Sequence, residues 1–156
     1  LLNFVSILII FLIDRLSKLL IINYSYNNEV IIINLAPFLN LNLVWNEGIA
    51  FGLLSFDDRF GYNLITFVIF IVIVVLIVML IKAENISRLA LIMILGGAFG
   101  NFFDRIFYSA VPDFIEFYYK SFHWFIFNVA DIFITLGVIM LILLELFKTK
   151  KYNEKI

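Results

Sequence analysis

The sequence predicts an integral membrane protein built mainly from four transmembrane helices. Hydrophobic residues make up 64% of the 156 residues and the mean hydropathy is +1.09, whereas soluble domains usually hold about 45–50% apolar residues. Four apolar runs each approach the roughly 20 helical residues that a bilayer requires. We place these spans near residues 4–22, 62–81, 89–107 and 125–147. The fold class predicted is therefore an all-α membrane protein, with one domain covering residues 1–156.

Composition also excludes several function classes. Lys and Arg number 11 against 12 Asp and Glu, so the net charge of −1 offers no basic surface to nucleic acid. Cysteine is absent, which excludes disulfides and thiolate metal sites. His123 is the single histidine and cannot form a zinc site without carboxylate ligands. We therefore expect no metal, no other cofactor and no nucleic-acid partner.

The first two spans differ in polarity. The first contains Asp14, Arg15 and Lys18 and is followed by no small-x-small cleavage site, so we expect it to be retained as a helix. Asp14 and Lys18 stand at i and i+4 in the favourable acid-first order, either as an ion pair that fixes helix packing or as part of a functional site. The second span has no charge between Tyr62 and Ile81. It is predicted to be a lipid-exposed scaffold helix.

The two larger loops, residues 23–61 and 108–124, are predicted to differ. In the first loop, residues 30–33 and 38–44 resemble strands, the second with period-two alternation. The apolar segment 47–56 then predicts an amphipathic helix in the membrane interface. The second loop is predicted to be a short connector.

Basic residues indicate the orientation in the membrane. Most basic residues outside the spans lie in the short segment between spans two and three or after span four: Lys82, Arg88, Lys148, Lys150, Lys151 and Lys155. The two larger loops contain only Arg59 and Lys120 as strong bases. Because basic segments face the cytoplasm, we expect both termini inside and both larger loops outside.

Polar residues are concentrated near the outer end of span three. Asn101, Asp104 and Arg105 are spaced i, i+3 and i+4 and so fall on one helical face. Gly96 and Gly100 precede them as a small-xxx-small pair, which favours close helix packing. Packing alone accounts for the glycines but not for the three polar residues.

Two acids frame the entry to span four. We place Asp113 in the connector and Asp131, with Asn128 on the same face, one to two turns inside the span. Helix capping or a loop position would explain either acid alone, but the predicted topology brings both to the same membrane depth. Two adjacent carboxylates share a proton, so one can deprotonate water while the other protonates a leaving amine. The pair therefore favours a metal-free aspartic hydrolase.

Two other classes of protein remain as alternatives. Acids within a membrane also mark ion paths, as in a small transporter or a proton-conducting protein. That function requires polar residues through the full membrane depth, whereas spans two and four are apolar toward the cytoplasm. A purely structural scaffold leaves the polar groups unexplained.

Five sequence blocks, in order along nearly the whole chain, carry a family resemblance. They are Asp14-x-x-Ser17-Lys18, Asn46-x-Gly48-x-Ala50-Phe51, Gly96-Gly97-Ala98-x-Gly100-Asn101-x-x-Asp104-Arg105, Asp113-Phe114-Ile115 and Phe127-Asn128-x-Ala130-Asp131. Together they resemble signal peptidase II, the lipoprotein signal peptidase family of bacteria. Trp45, Ile49 and Pro112 depart from that pattern, where a basic residue, alanine and valine are common.

The resemblance implies cleavage of diacylglyceryl-modified prolipoproteins just before the lipidated cysteine, with Asp113 and Asp131 as the catalytic residues. It implies substrate-binding positions at Asn46, Gly48, Asn101, Arg105 and Asn128, and supporting polar positions at Asp14, Lys18 and Asp104. It also implies a small outer β-cradle and an interfacial helix. Which aspartate acts as the base is left open.

The resemblance further implies a place in the cell and a set of partners. The expected location is the bacterial cytoplasmic (inner) membrane, with the active site near its outer face. The expected partners are a diacylglyceryl-prolipoprotein substrate and membrane lipid, and the expected state is a monomer.

Overall fold

A computed structural model describes residues 2–28, 32–48, 59–120 and 122–153. Within these ranges the chain is mostly helical and carries a small antiparallel sheet. The elements in chain order are α1 (Leu2–Asn28), β1 (Ile32–Ala36), β2 (Leu39–Asn46), α2 (Arg59–Lys82), α3 (Asn85–Tyr108), β3 (Val111–Tyr119), β4 (Phe122–Phe127) and α4 (Val129–Asn153).

Three helical segments in the described part of the chain are long and apolar enough to cross a membrane. They are Phe60–Lys82, Asn85–Tyr108 and Val129–Phe147. Helix α1 is 27 residues long but carries Asp14, Arg15 and Lys18 near its middle. These three side chains are buried against the rest of the protein. By length and composition the structure therefore gives three candidate spans, and α1 differs from them in carrying three charged residues near its middle.

The sheet has the strand order β1-β2-β3-β4, with every neighbouring pair antiparallel. The two strands predicted in the loop at residues 23–61 correspond to β1 and β2, joined through a turn at Pro37. The register of β2 on β3 shifts between Leu41 and Val44, immediately before the pair Val44–Asp113. Most of the predicted interfacial helix, at residues 49–56, lies outside the described residues.

The predicted connector at 108–124 and the predicted start of span four at residue 125 are both wrong. Strands β3 and β4 form a hairpin there, with Ile115 paired to Phe127, and α4 begins at Val129. Hydropathy could not separate β4 from the helix because its aromatic and β-branched residues are as apolar as the span that follows. Those residue types also favour strands. As a result, Asp113 lies within a paired strand, not in a loop.

Helix α3 is the centre of the bundle and packs against α1, α2 and α4. Gly96 faces Ile10 and Gly100 faces the Asp14 carboxylate, so the predicted small-residue face is confirmed as a contact with α1. Helix α2 is exposed along most of its length, as predicted, although the span within α4 is equally exposed. The charged middle of α1 therefore packs against the C-terminal half of α3.

Gly97 of α3 provides a test of this packing. In Gly97→Ala the added Cβ would meet the backbone carbonyl oxygen of Ala130 and the side chain of Ile134. Because the α4 backbone cannot swing aside, we expect an overpacking cost of about 1–3 kcal/mol and a Tm lowered by several degrees. Thermal unfolding in nanodiscs measures this. Leu143→Ala, at an exposed position of α4, is the control, and an unchanged Tm for Gly97→Ala would contradict the close contact.

Candidate active site

Asp131 and Asn128 form a reciprocal cap at the start of α4. The Asp131 amide donates to Asn128 Oδ1 at 3.1 Å, and the Asn128 amide donates to Asp131 Oδ2 at 3.1 Å. This arrangement is a capping box, with Asn128 as the N-cap and Asp131 three residues later. Asp131 therefore sits in the first helical turn, shallower than predicted, because the true helix start is four residues later than residue 125. The second carboxylate oxygen, Oδ1, is left to other partners.

Asp113 is held from two sides by amide groups. Asn128 Nδ2 donates to Asp113 Oδ1 at 2.6 Å, and Asn46 Nδ2 donates to Asp113 Oδ2 at 2.8 Å. Asn128 therefore contacts both acids, with its side-chain nitrogen on Asp113 and its backbone nitrogen and side-chain oxygen on Asp131. A single residue thus fixes the two acids relative to one another.

Asp113 and Asp131 line the same cavity, which has a volume of about 360 Å³. Polar residues surround the acids at one end of it, namely Asn46, Asn101, Arg105 and Asn128. The remaining walls are apolar and come from α2, α3 and α4, including Ile69, Ala98, Ile134, Val138 and Ile139. The cavity is therefore an apolar groove with a compact polar end.

The environment of Asp113 favours its protonated form. Burial raises the pKa of Asp113 to about 6, and the nearby charge of Asp131 acts in the same direction. The hydrogen bonds from Asn46 and Asn128 oppose that shift because they stabilise the carboxylate. A pair with one raised pKa can hold a single proton near neutral pH, as acid–base catalysis by two carboxylates requires.

Lys18 fixes the amide that contacts Asp131. Lys18 Nζ donates to Asn101 Oδ1 at 2.8 Å, and Asn101 Nδ2 donates to Asp131 Oδ1 at 2.8 Å. Because an ammonium can only donate, it must face the oxygen of the amide. The NH₂ group of Asn101 is thereby directed at the aspartate. The carboxylate orientation of Asp131 thus depends on a residue in α1.

Lys18 belongs to a buried cluster of two acids and two bases. It also contacts Asp14 Oδ2 at 2.8 Å and Asp104 Oδ2 at 2.7 Å, while Arg15 contacts Asp104 Oδ1 at 2.5 Å. Asp14 Oδ1 in turn accepts the Ala130 amide at 2.9 Å, which ties α1 to the first turn of α4. The charges balance, so the cluster joins α1, α3 and α4 without a net buried charge.

Arg105 and Asn46 organise the chain that leaves β2. Arg105 Nη2 donates to the carbonyl oxygen of Gly48 at 2.6 Å, and the Gly48 amide donates to Asn46 Oδ1 at 2.9 Å. Asn46 therefore links Gly48 to Asp113. Arg105 Nε and Nη1 are buried, and no hydrogen-bond acceptor among the described residues reaches them. Two guanidinium nitrogens are thus available to an acceptor that enters the cavity.

All ten residues singled out from the sequence lie in or directly behind this polar end. Asp113, Asp131, Asn46, Asn101, Arg105 and Asn128 line the cavity; Gly48 holds Arg105; Asp14, Lys18 and Asp104 form the cluster behind Asn101. Their roles in catalysis remain predictions. The sequence reasoning gave Arg15 no role in the site, although a charge within an apolar run could have indicated one. Thr135 lines the cavity, but nothing in the sequence pointed to it.

Comparison with known proteins points to a single family. The sequence model of the signal peptidase (SPase) II family matches residues 6–147. The lipoprotein signal peptidase of Pelagibacter ubique is 54% identical over 155 residues, covering 99% of this chain and 93% of the relative. The lipoprotein signal peptidase of Francisella tularensis subsp. novicida is 40% identical over 124 residues, which cover 76% of each chain. The lipoprotein signal peptidase of Rickettsia canadensis is 37% identical over 152 residues, which cover 96% of this chain and 76% of the relative.

Solved structures agree with this fold. A bacterial membrane enzyme with 25% sequence identity superimposes with a TM-score of 0.74, covering 96% of this chain and 90% of the other. A second structure, also of a bacterial membrane enzyme and 25% identical, gives a TM-score of 0.67 with 92% of both chains covered. With a family match over residues 6–147 and a relative 54% identical over nearly the full length, the chain belongs to the signal peptidase II family.

Proposed function

We propose that this protein is an aspartic endopeptidase that removes signal peptides from diacylglyceryl-modified prolipoproteins, cleaving before the lipidated cysteine. The observation that carries the proposal is that Asp113 and Asp131 line one cavity and are bridged by Asn128. The names of the relatives, all lipoprotein signal peptidases, support the substrate class. The apolar groove that continues from the acids suits a hydrophobic signal peptide.

Four membrane spans are part of this proposal, with α1 as the fourth. At 27 residues, α1 has a length of about 40 Å at 1.5 Å per residue. Its three charges lie in the bundle interior, with Asp14 and Lys18 0% exposed and Arg15 7% exposed, and so need not meet lipid. The positive-inside distribution supports cytoplasmic termini, an inner-membrane location and an active site near the outer face. The proposed unit is a monomer.

The proposed reaction uses the two carboxyl groups in opposite protonation states. The ionised aspartate takes a proton from a water molecule as the water oxygen attacks the scissile carbonyl carbon. The protonated aspartate gives its proton to the amide nitrogen as the C–N bond breaks. The products are a signal peptide with a new carboxylate and a protein with a new amino group on its lipidated residue. No metal and no covalent intermediate is required.

Arg105 is proposed to bind a backbone carbonyl of the substrate. Its Nε and Nη1 have no acceptor among the described residues, and a buried unpaired guanidinium N–H is costly. A carbonyl oxygen of the extended peptide would supply the missing acceptor. The same contact would hold the scissile bond against the acids, while Gly48 keeps the guanidinium group in place.

The rate of cleavage should depend on pH through Asp113. The pKa of this group is raised to about 6, so it holds a proton below that pH and loses it above. Because the reaction needs one protonated carboxyl group, we expect kcat/KM to fall as the pH rises through about 6. Asn46→Ala removes a hydrogen bond that lowers this pKa and should move the fall to higher pH. A flat profile across this range, or a shift in the opposite direction, would contradict the assignment.

A gel-shift assay tests the proposed function. Purified protein in nanodiscs is incubated with a diacylglyceryl-modified prolipoprotein and, separately, with the same precursor lacking the lipid. We expect the lipidated precursor to lose the mass of its signal peptide and the precursor without lipid to stay intact. The transport alternative is tested in the same preparation by proton flux in vesicles. Flux without peptide cleavage would replace the peptidase proposal.

A further inference from the structure

A second cavity lies between the β3–β4 hairpin and the outer turns of α4. Its volume is about 610 Å³, within the range of roughly 300–1,000 Å³ typical of small-molecule sites. Its roof is aromatic and includes Phe38, Phe117, Tyr119, Trp124, Phe125 and Phe127. Ile132 and Leu136 of α4 form an apolar floor. The cavity is therefore suited to a long apolar group.

This second cavity meets the active-site cavity along α4. Asp131 and Thr135, one helical turn apart, line both cavities. On one side of this ridge the active-site cavity continues over Ile134. On the other side the aromatic cavity continues over Ile132. A group bound at Asp131 can therefore extend into either space.

The exposed aromatic roof of the second cavity is of the kind found at the membrane interface. Tyr119 is 70% exposed and Trp124 is 59% exposed, although both belong to a sheet that packs on the helices. Trp and Tyr concentrate where the hydrocarbon core meets the polar headgroups, because they combine an apolar ring with a polar group. This composition suits the level at which the ester groups and the first acyl carbons of a lipid lie.

We propose that the aromatic cavity between the hairpin and α4 binds the proximal part of the two acyl chains carried by the lipidated residue. This inference rests on the proposed function. The lipidated residue directly follows the scissile bond, so its acyl chains must depart from within one residue of Asp131. The apolar groove over Ile134 and Val138 is long and suits the signal peptide, which precedes the bond. The aromatic cavity is the space left on the other side of the reacting aspartate.

Filling the cavity is the test. Leu136→Trp places a large side chain on its floor, and Leu143→Trp makes the same change two turns further along the same helical face, outside the cavity lining. The two leucines are 47% and 46% exposed, so the variants are closely matched. The quantity measured is kcat/KM for a precursor with two palmitoyl chains divided by that for a precursor with two acetyl groups, which have almost no proximal chain to enter the cavity.

We expect Leu136→Trp to lower this ratio about tenfold, because overpacking an apolar site excludes the longer chains. Leu143→Trp should leave the ratio within about twofold of the wild type. An unchanged ratio in Leu136→Trp, or an equal fall in both variants, would overturn the inference. If the wild type cleaves neither precursor, the proposed function itself fails, which is a separate result.

Photocrosslinking of the wild type provides a second measurement that does not depend on folding of a variant. A precursor with a diazirine near the ester end of its acyl chains should label the segment from Phe122 to Phe127. Labelling of α2 and α3 instead would overturn the inference. Equal labelling of the hairpin by a diazirine phospholipid in the presence of excess precursor would also overturn it, because the cavity would then hold bulk lipid.

Discussion

Replacing Asp113 or Asp131 with asparagine is expected to reduce cleavage of a diacylglyceryl-modified precursor by at least about 10²–10⁴-fold, the range that acid–base catalysis contributes. Each variant retains the shape of the side chain but can neither accept a proton from water nor donate one at the required pKa. The loss should appear in kcat, because the apolar groove proposed to hold the signal peptide is unchanged. The measurement is a time course of processing in nanodiscs under saturating substrate.

The control for this prediction is the folded state of each variant. Asp131 accepts the Asn128 backbone amide at Oδ2 and the Asn101 side-chain amide at Oδ1, and an asparagine oxygen can replace one of these two acceptors. Asp113 accepts two amide donors, of which asparagine can satisfy one with its oxygen. Both variants should therefore insert and unfold cooperatively. Turnover at the wild-type rate in either folded variant would refute a catalytic role for that residue.

Replacing Lys18 with methionine is expected to have the second large effect, on stability as well as on rate. The ammonium group contacts Asp14, Asp104 and Asn101 and is fully buried. Removing one partner from a buried ionic network costs about 3–5 kcal/mol, because uncompensated charge remains. Thermal unfolding of Lys18→Met should therefore show a markedly lower Tm, or the protein should fail to accumulate in the membrane.

A double variant separates the structural role of Lys18 from its effect on the active site. Lys18→Met with Asp104→Asn removes one base and one acid, so the charge balance of the cluster is restored and much of the stability should return. The NH₂ group of Asn101 is then no longer held toward Asp131, and the loss of one such hydrogen bond should reduce kcat about 10–100-fold. Recovery of the wild-type kcat together with stability would indicate that Lys18 acts only in packing.

The helical bundle was predictable because its signals are local. Apolar runs of sufficient length predict spans, and Gly96 and Gly100 predict a close helix contact, which α1 provides. The spacing of Asn101, Asp104 and Arg105 predicts a shared polar face. In the structure Asn101 and Arg105 line the active-site cavity, and Asp104 contacts Lys18, which also binds Asn101. These features depend on helix geometry alone, which is the same in every protein.

The hairpin and the cap were not predictable by the same means. An apolar strand such as β4 is indistinguishable by hydropathy from the start of the helix that follows it. That error placed Asp131 too deep and hid its pairing with Asn128. Likewise, the contact of Arg15 with Asp104 depends on which face of α1 packs on α3. Pairing between distant segments is a tertiary property that residue spacing does not determine.

The rate of the Asp113→Asn, Asp131→Asn double variant tests most directly whether the two acids act as one unit. Residues that share a single chemical step are strongly non-additive, so their separate losses do not multiply. We expect the double variant to cleave the lipidated precursor about as slowly as the slower single variant. A double variant whose loss equals the product of the two single losses would contradict this expectation, since the aspartates would then act independently.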